Sequence, residues 1–180
     1  MPAPGAIPGA GATSAPAMKL VGIDYGLVRT GLAATDPDGV LAYPLTTLDL
    51  NAFPSRKALL EALAEIIRQE RPGAVVVGLP LMPDGTESLT TRQVRNFASR
   101  LVHRTDCPVL FMEELLSSEE AAWDLAEAGV RDRKRRKAVL DQQAAVRILE
   151  SYLHQPECAR PVDVRWKSPS QEKQGRPEQD

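Results

Sequence analysis

Cysteine is nearly absent from this 180-residue chain: Cys107 and Cys158 are the two, with no CxxC spacing and no histidine pair nearby. That argues against a disulfide framework and against a thiolate zinc site, and it makes reduced thiols in the cytosol the expectation. Histidine is equally scarce, with His103 near the end of a helical stretch and His154 on the polar side of another. Both read as surface residues. Aromatic side chains make up 4% of the chain, so no platform for stacking bases is evident. No apolar run approaches the roughly 20 residues needed to span a bilayer, so no membrane association is expected. No internal repeat is present either.

What remains is ordinary for a soluble globular protein: 43% hydrophobic residues, 26% charged and a net charge of −2. The length suits one domain with a sizeable core. Residues 1–17 are almost entirely Ala, Pro and Gly, without a basic n-region or continuous apolar segment, so they read as a disordered extension rather than a signal peptide. Met18 directly precedes the first apolar run, which makes it a candidate translation start. From about Pro156 the chain turns polar, and residues 156–180 read as a solvated, disordered tail. The folded domain is therefore expected over residues 18–155.

Within that span, alternation and turn signals predict strands near 19–24, 29–35 and 39–46, the last two joined by Asp36-Pro37-Asp38-Gly39. They read as an antiparallel meander. A helix near 54–70 follows, with Pro54 in its first turn and Arg71-Pro72-Gly73 as its stop. Ala74–Pro80 is a β-branched run of the kind buried on both faces between parallel neighbours. Further helices are expected near 87–104, 118–128 and 138–153, with a strand at 108–112. Ser117 and Glu120 have capping-box spacing before the second of these helices. Three strands followed by alternating helices and strands describe an α/β fold with a mixed sheet whose parallel strand ends share one edge.

Three carboxylates fall where packing has no use for a charge. Asp24 ends the apolar run Lys19–Ile23 just before Gly26, and the pair Glu113-Glu114 follows Pro108–Met112. Strand alternation sends those two glutamates to opposite faces. Asp141 lies in a helix whose polar stripe is Gln143, Arg147, Glu150 and His154. At about 100° per residue, Asp141 aligns instead with Ala144, Ala145, Ile148 and Tyr152, so a carboxylate points toward whatever the apolar face covers. Taken singly, each acid has a plainer reading: a turn, a solvated strand end, a structural ion pair. Together they suggest a metal site, since unpaired buried carboxylates are costly. Asp36 is a weaker candidate whose position before Pro37 suits a turn.

Residues 131–137 hold six bases and one acid: Arg131, Arg133, Lys134, Arg135, Arg136 and Lys137 around Asp132. Such a run is often a solvated loop. Here it immediately precedes Asp141. A cationic loop beside an acidic pocket suits a polyanion whose backbone is held by Lys and Arg while metal ions offset the carboxylates.

The segments Gly22-Ile23-Asp24-Tyr25-Gly26 with Arg29 and Gly31, Val76–Pro80 with Gly85, Glu113–Ser118, and Asp141–Ala145 resemble the successive motifs of the YqgF/RuvX family. They occur in the family's order over residues 18–154. The resemblance implies an RNase H-like fold and a cytoplasmic nuclease acting in 5′-end maturation of the 16S rRNA precursor, in a family also labelled Holliday-junction resolvases. It implies metal-ligating roles for Asp24, Glu114 and Asp141. Departures from the pattern are also visible. Glu113 stands for the family's Asp, Leu115 for its Arg, and Leu27 and Val28 replace a hydroxyl residue and a lysine.

The expected chemistry is phosphodiester hydrolysis with Mg²⁺, or Mn²⁺, at Asp24, Glu114 and Asp141. Arg29 and the bases of 131–137 would hold phosphate, and the backbone after Gly78 and around Gly85 could approach nucleic acid closely. Precursor rRNA and branched DNA are both open as substrates, and so are a monomer and a homodimer. A non-catalytic nucleic-acid-binding module on the same fold is the alternative class. A sugar-kinase-like phosphate site, prompted by the Asp-x-Gly turn, would need a duplicated domain that this chain lacks.

Overall fold

A computed structural model describes residues 17–118 and 134–163, with side chains described throughout except over 134–139. Its centre is a six-stranded mixed sheet. The strands are β1 (Leu20–Tyr25), β2 (Arg29–Thr35), β3 (Ala42–Asp49), β4 (Ala74–Leu81), β5 (Val109–Leu115) and β6 (Arg160–Pro161), in the spatial order β3-β2-β1-β4-β5-β6. β2 runs antiparallel to β1 and to β3, whereas β4 is parallel to β1 and to β5. The carboxyl ends of β1, β4 and β5 thus meet at one edge, as the sequence pattern predicts.

Helices cover both faces. The buried Val75 and Val77 of β4 lie with Val21 and Ile23 in a core completed by Leu63 and Ile67 of α1 (Arg56–Glu70) and Val94, Phe97 and Leu101 of α2 (Leu89–Val102). The alternate residue Val76 joins Leu20, Ala33 and Met112 beneath Ala145, Ile148, Leu149 and Tyr152 of α3 (Lys134–His154). Burial on both faces accounts for the unbroken apolar run in β4.

Local chemistry sets the element ends. Ser55 caps α1, so Pro54 precedes the helix rather than lying in its first turn: the Ser55 hydroxyl accepts the Ala58 amide at 3.1 Å, and the helix stops at Arg71 in the left-handed region, φ 49°. Ser88 and Thr91 form a reciprocal capping box at α2, and the Thr91 hydroxyl also donates to the Pro80 carbonyl at 2.6 Å, tying α2 to the end of β4. The capping box expected at Ser117 and Glu120, with most of the helix near 118–128, lies outside the described residues.

The boundaries differ from expectation in four places. β3 begins at Ala42 rather than 39, because the Val40 and Leu41 amides are taken by the Asp36 carboxylate at 2.7 and 2.8 Å. β5 continues to Leu115 instead of ending at Met112, its last residues pairing with Leu79, Pro80 and Leu81 of β4. Residues 134–137 lie in the described part of α3 and are helical rather than a loop, in keeping with the good helix propensity of Lys and Arg. Finally, the fold runs on past 155. A short 3-10 turn at Pro156–Cys158 leads into β6, which pairs with Leu110 and Phe111 of β5, and Val162 is buried in the α1/α2-side core. Polarity and Pro161 hide this strand in the sequence, since its two residues are themselves exposed.

Candidate active site

β1 delivers Asp24 to the sheet edge with its neighbour Tyr25 turned the other way. Tyr25 stacks on Phe97, ring centroids 4.2 Å apart, and its hydroxyl accepts from Arg56 at 3.3 Å. Directly across the strands, Asp24 pairs with Gly31 and Gly31 with Thr47, so all three share the face that α3 covers. A side-chain carbon at residue 31 would collide with the backbone carbonyl of Asp141. Glycine here admits the helix. Similarly, a Cβ on Gly22 would meet Leu149 at 2.6 Å and the Ala145 carbonyl at 2.8 Å, and one on Gly78 would strike Ile148. Gly78 therefore serves helix packing, not close approach of nucleic acid.

With α3 seated this deeply, its first half faces the strand ends. Gln142 donates to the Thr47 hydroxyl at 3.0 Å, and the Asp141 carboxylate lies 3.8 Å from the Arg29 guanidinium, side chains 24% and 12% exposed. That separation is an ion pair rather than a direct hydrogen bond. Arg29 thus meets one of the acids. Glu114 lies two residues beyond the buried Met112 on the same strand face, and Glu113 is exposed on the other.

Asp24 reports how close the acids come. Its carboxyl is pushed up to about 7, first by burial and then by the charges of Asp141 and Glu114, with the Arg147 guanidinium pulling in the opposite direction. Thus the structure draws the three acids singled out in the sequence into one electrostatic site. Among the described residues, no group of three or more His, Cys, Asp or Glu is arranged so that it could hold a metal ion.

Of the basic run, Arg131 and Arg133 lie outside the described residues. The backbone of Lys134, Arg135, Arg136 and Lys137 is helical, while their side chains are not among those described. Asp36 is a turn residue: besides the Val40 and Leu41 amides, its carbonyl accepts from Gly39 at 3.0 Å, and these amides hold its carboxyl below the usual range. Gly85 has φ +83° and open space around it, which places the need for glycine in the backbone conformation. His103 and His154 are exposed, as expected.

Arg147 is the residue that periodicity misses. It belongs to the exposed stripe of α3, yet it lines an open groove of about 510 Å³ together with Glu114. Its spacing of six residues from Asp141 puts it on the flank of the helix nearer β5, a relation visible only once the helix is docked.

The comparisons agree with this architecture. The family model described as "RuvX: Holliday junction resolvase" matches residues 18–155. A protein of Nitratidesulfovibrio vulgaris (strain DP4) named "Putative pre-16S rRNA nuclease" is 56% identical over 143 residues, covering 79% of this chain and 98% of its own. A protein of Oleidesulfovibrio alaskensis with the same name is 52% identical over 143 residues, covering 79% and 96%. Among solved structures, Thermus thermophilus RuvC in complex with a Holliday junction substrate superposes with a TM-score of 0.51 at 19% identity, covering 81% of this chain and 99% of that one. The shared fold is RNase H-like. No helix among the described residues is long and apolar enough to cross a membrane.

Proposed function

Because the chain belongs to the RuvX family, we propose that it is a metal-dependent nuclease that hydrolyses phosphodiester bonds in 5′-end maturation of the 16S rRNA precursor. The observation that carries the chemistry is the gathering of three acids at one sheet edge, where burial first, and then the charges of Asp141 and Glu114, push the Asp24 carboxyl up to about 7. Carboxylates forced together in this way fit a divalent cation. The donors are all oxygen, which suits Mg²⁺ or Mn²⁺, because Mg²⁺ commonly keeps waters and takes one or two carboxylates plus substrate phosphate. When bound, such an ion activates a water and offsets charge on the leaving oxygen.

The chain's own residues supply the rest. Asp24 and Asp141 would hold the cation from facing elements, with Glu114 on β5 as the third carboxylate. Arg29 fixes Asp141 by charge, and Arg147 adds a positive charge on the β5 side of the acids. Bases at 131–137 would draw the polyanion toward the start of α3.

The family description and the junction bound to the structurally similar RuvC favour a second substrate, a DNA four-way junction; a homodimer would suit its symmetric cleavage, whereas a monomer suits trimming an RNA end. Purified protein is to be given a precursor rRNA and a four-way junction under one metal and salt condition, with Asp24→Asn as control. Cleavage of the RNA that requires Mg²⁺ or Mn²⁺ and disappears in the variant is expected. Unchanged cleavage by Asp24→Asn sinks the assignment of the site, and nucleic-acid binding without metal-dependent cleavage points to a non-catalytic module.

A further inference from the structure

The groove beside the acids runs between the end of β5 and the C-terminal half of α3. Its α3 wall presents Arg147, Ser151 and His154, spaced along the helix by four and three residues, so they form one stripe of hydrogen-bonding groups, and Gln155 follows just past the helix end. Opposite stand Glu113, Glu114 and Leu115, the last 64% exposed, so the β5 wall is acidic and the cation of the groove, Arg147, stands on α3. From Arg147 to His154 the helix rises about 10 Å, at 1.5 Å per residue. A nucleic-acid strand advancing about 3.4 Å per nucleotide would lay roughly three nucleotides along that length.

We propose that this groove is a subsite for the nucleic-acid strand flanking the scissile phosphate, with Arg147 as the phosphate contact nearest the acids and Ser151, His154 and Gln155 as hydrogen-bonding groups farther along. The inference rests on the nuclease reading above and adds to it a location and a residue. The chemistry of the walls supports it. Arg147 is a planar, permanently charged donor suited to phosphate, and hydroxyl, imidazole and amide groups bind phosphate or sugar without reading sequence. Its charge is felt at Asp24, which places this cation close to the acids. The exposed Leu115 offers an apolar surface to sugar or base in a chain poor in aromatics.

The test uses full-length protein carrying Asp24→Asn, so that nothing is cleaved, and a short fluorescein-labelled single-stranded RNA without divalent ions. Binding is measured by anisotropy across a salt series. Adding Arg147→Gln should weaken binding by about tenfold, the lower end for a charge-assisted hydrogen bond, and flatten the slope of log affinity against log salt by about 0.7, one phosphate contact. Arg147→Lys should restore the slope but only part of the affinity. Arg68→Gln, on α1 across the sheet, should change neither, and thermal melting confirms that each variant is folded. Equal slope and affinity for Arg147→Gln and its parent, or an equal loss in Arg68→Gln, overturns the subsite. If wild-type protein nevertheless cleaves with Mg²⁺, the nuclease reading stands without it. If wild type does not cleave and the parent does not bind RNA, both fall together.

Discussion

The backbone carbonyl of Asp141 occupies the space that a side chain on Gly31 would need. One of the three acids is thus held at its depth by the absence of an atom on the strand beneath it, directly across from Asp24. Stability and site geometry meet at this contact. Gly31→Ala should lift the start of α3 from the sheet, costing about 1–3 kcal/mol as overpacking does. Cleavage should fall further than the melting temperature alone explains. Denaturant unfolding and single-turnover cleavage measured below the melting transition separate the two effects.

Asp24→Asn should do opposite things to stability and activity. Removing a carboxylate that burial and two neighbouring charges disfavour should raise the melting temperature of metal-free protein above pH 7, while cleavage drops by at least about 100-fold. A variant that is both less stable and less active would show that Asp24 makes a structural contact the charge balance overlooks.

The pH dependence follows from the same group. With its folded value raised from 3.8 to about 7, Asp24 keeps a proton in the folded state that the unfolded chain has already lost. The folded state therefore binds more protons between these values, and its stability should decline as pH rises through that window, then level off above it. Cation binding requires the ionised form, so Mg²⁺ affinity should strengthen up to about pH 7 and then flatten. Isothermal titration of Mg²⁺ across pH reads this directly, and affinity independent of pH between 5 and 8, roughly the range about that value, would contradict it.

A contrasting outcome is expected at the start of α2. Ser88→Ala removes one half of the capping box and should cost about 1 kcal/mol. Single-turnover cleavage should be unchanged, because Ser88 anchors the helix and carries no charge of the site. Chemical denaturation gives the first quantity and cleavage at saturating metal the second.

Much of the site is legible because helical and strand periods are rigid. The four polar-stripe residues of α3 are all exposed, and Ala145, Ile148 and Tyr152 are buried on the side where Asp141 was expected to point. Period two likewise separates Glu113 from Glu114. What one-dimensional spacing does not carry is docking. Arg147 reads as a solvent residue because its neighbour across the groove, Glu114, is 33 positions away in sequence. Gly78 reads as a backbone approach point because nothing local reveals Ile148 above it. β6 escapes notice because its strand character comes from β5's need for a partner and not from its own residues.

That last strand has a consequence for how the protein behaves in solution. Without residues 160–162, Leu110 and Phe111 of β5 would lose their strand partner, displaying unpaired backbone groups next to the vacated seat of Val162. Such an edge recruits strands from other chains. Two pairing residues beyond the apparent end of the domain therefore act as a guard against self-association, and a chain cut at 155 should retain its acids yet precipitate on concentration.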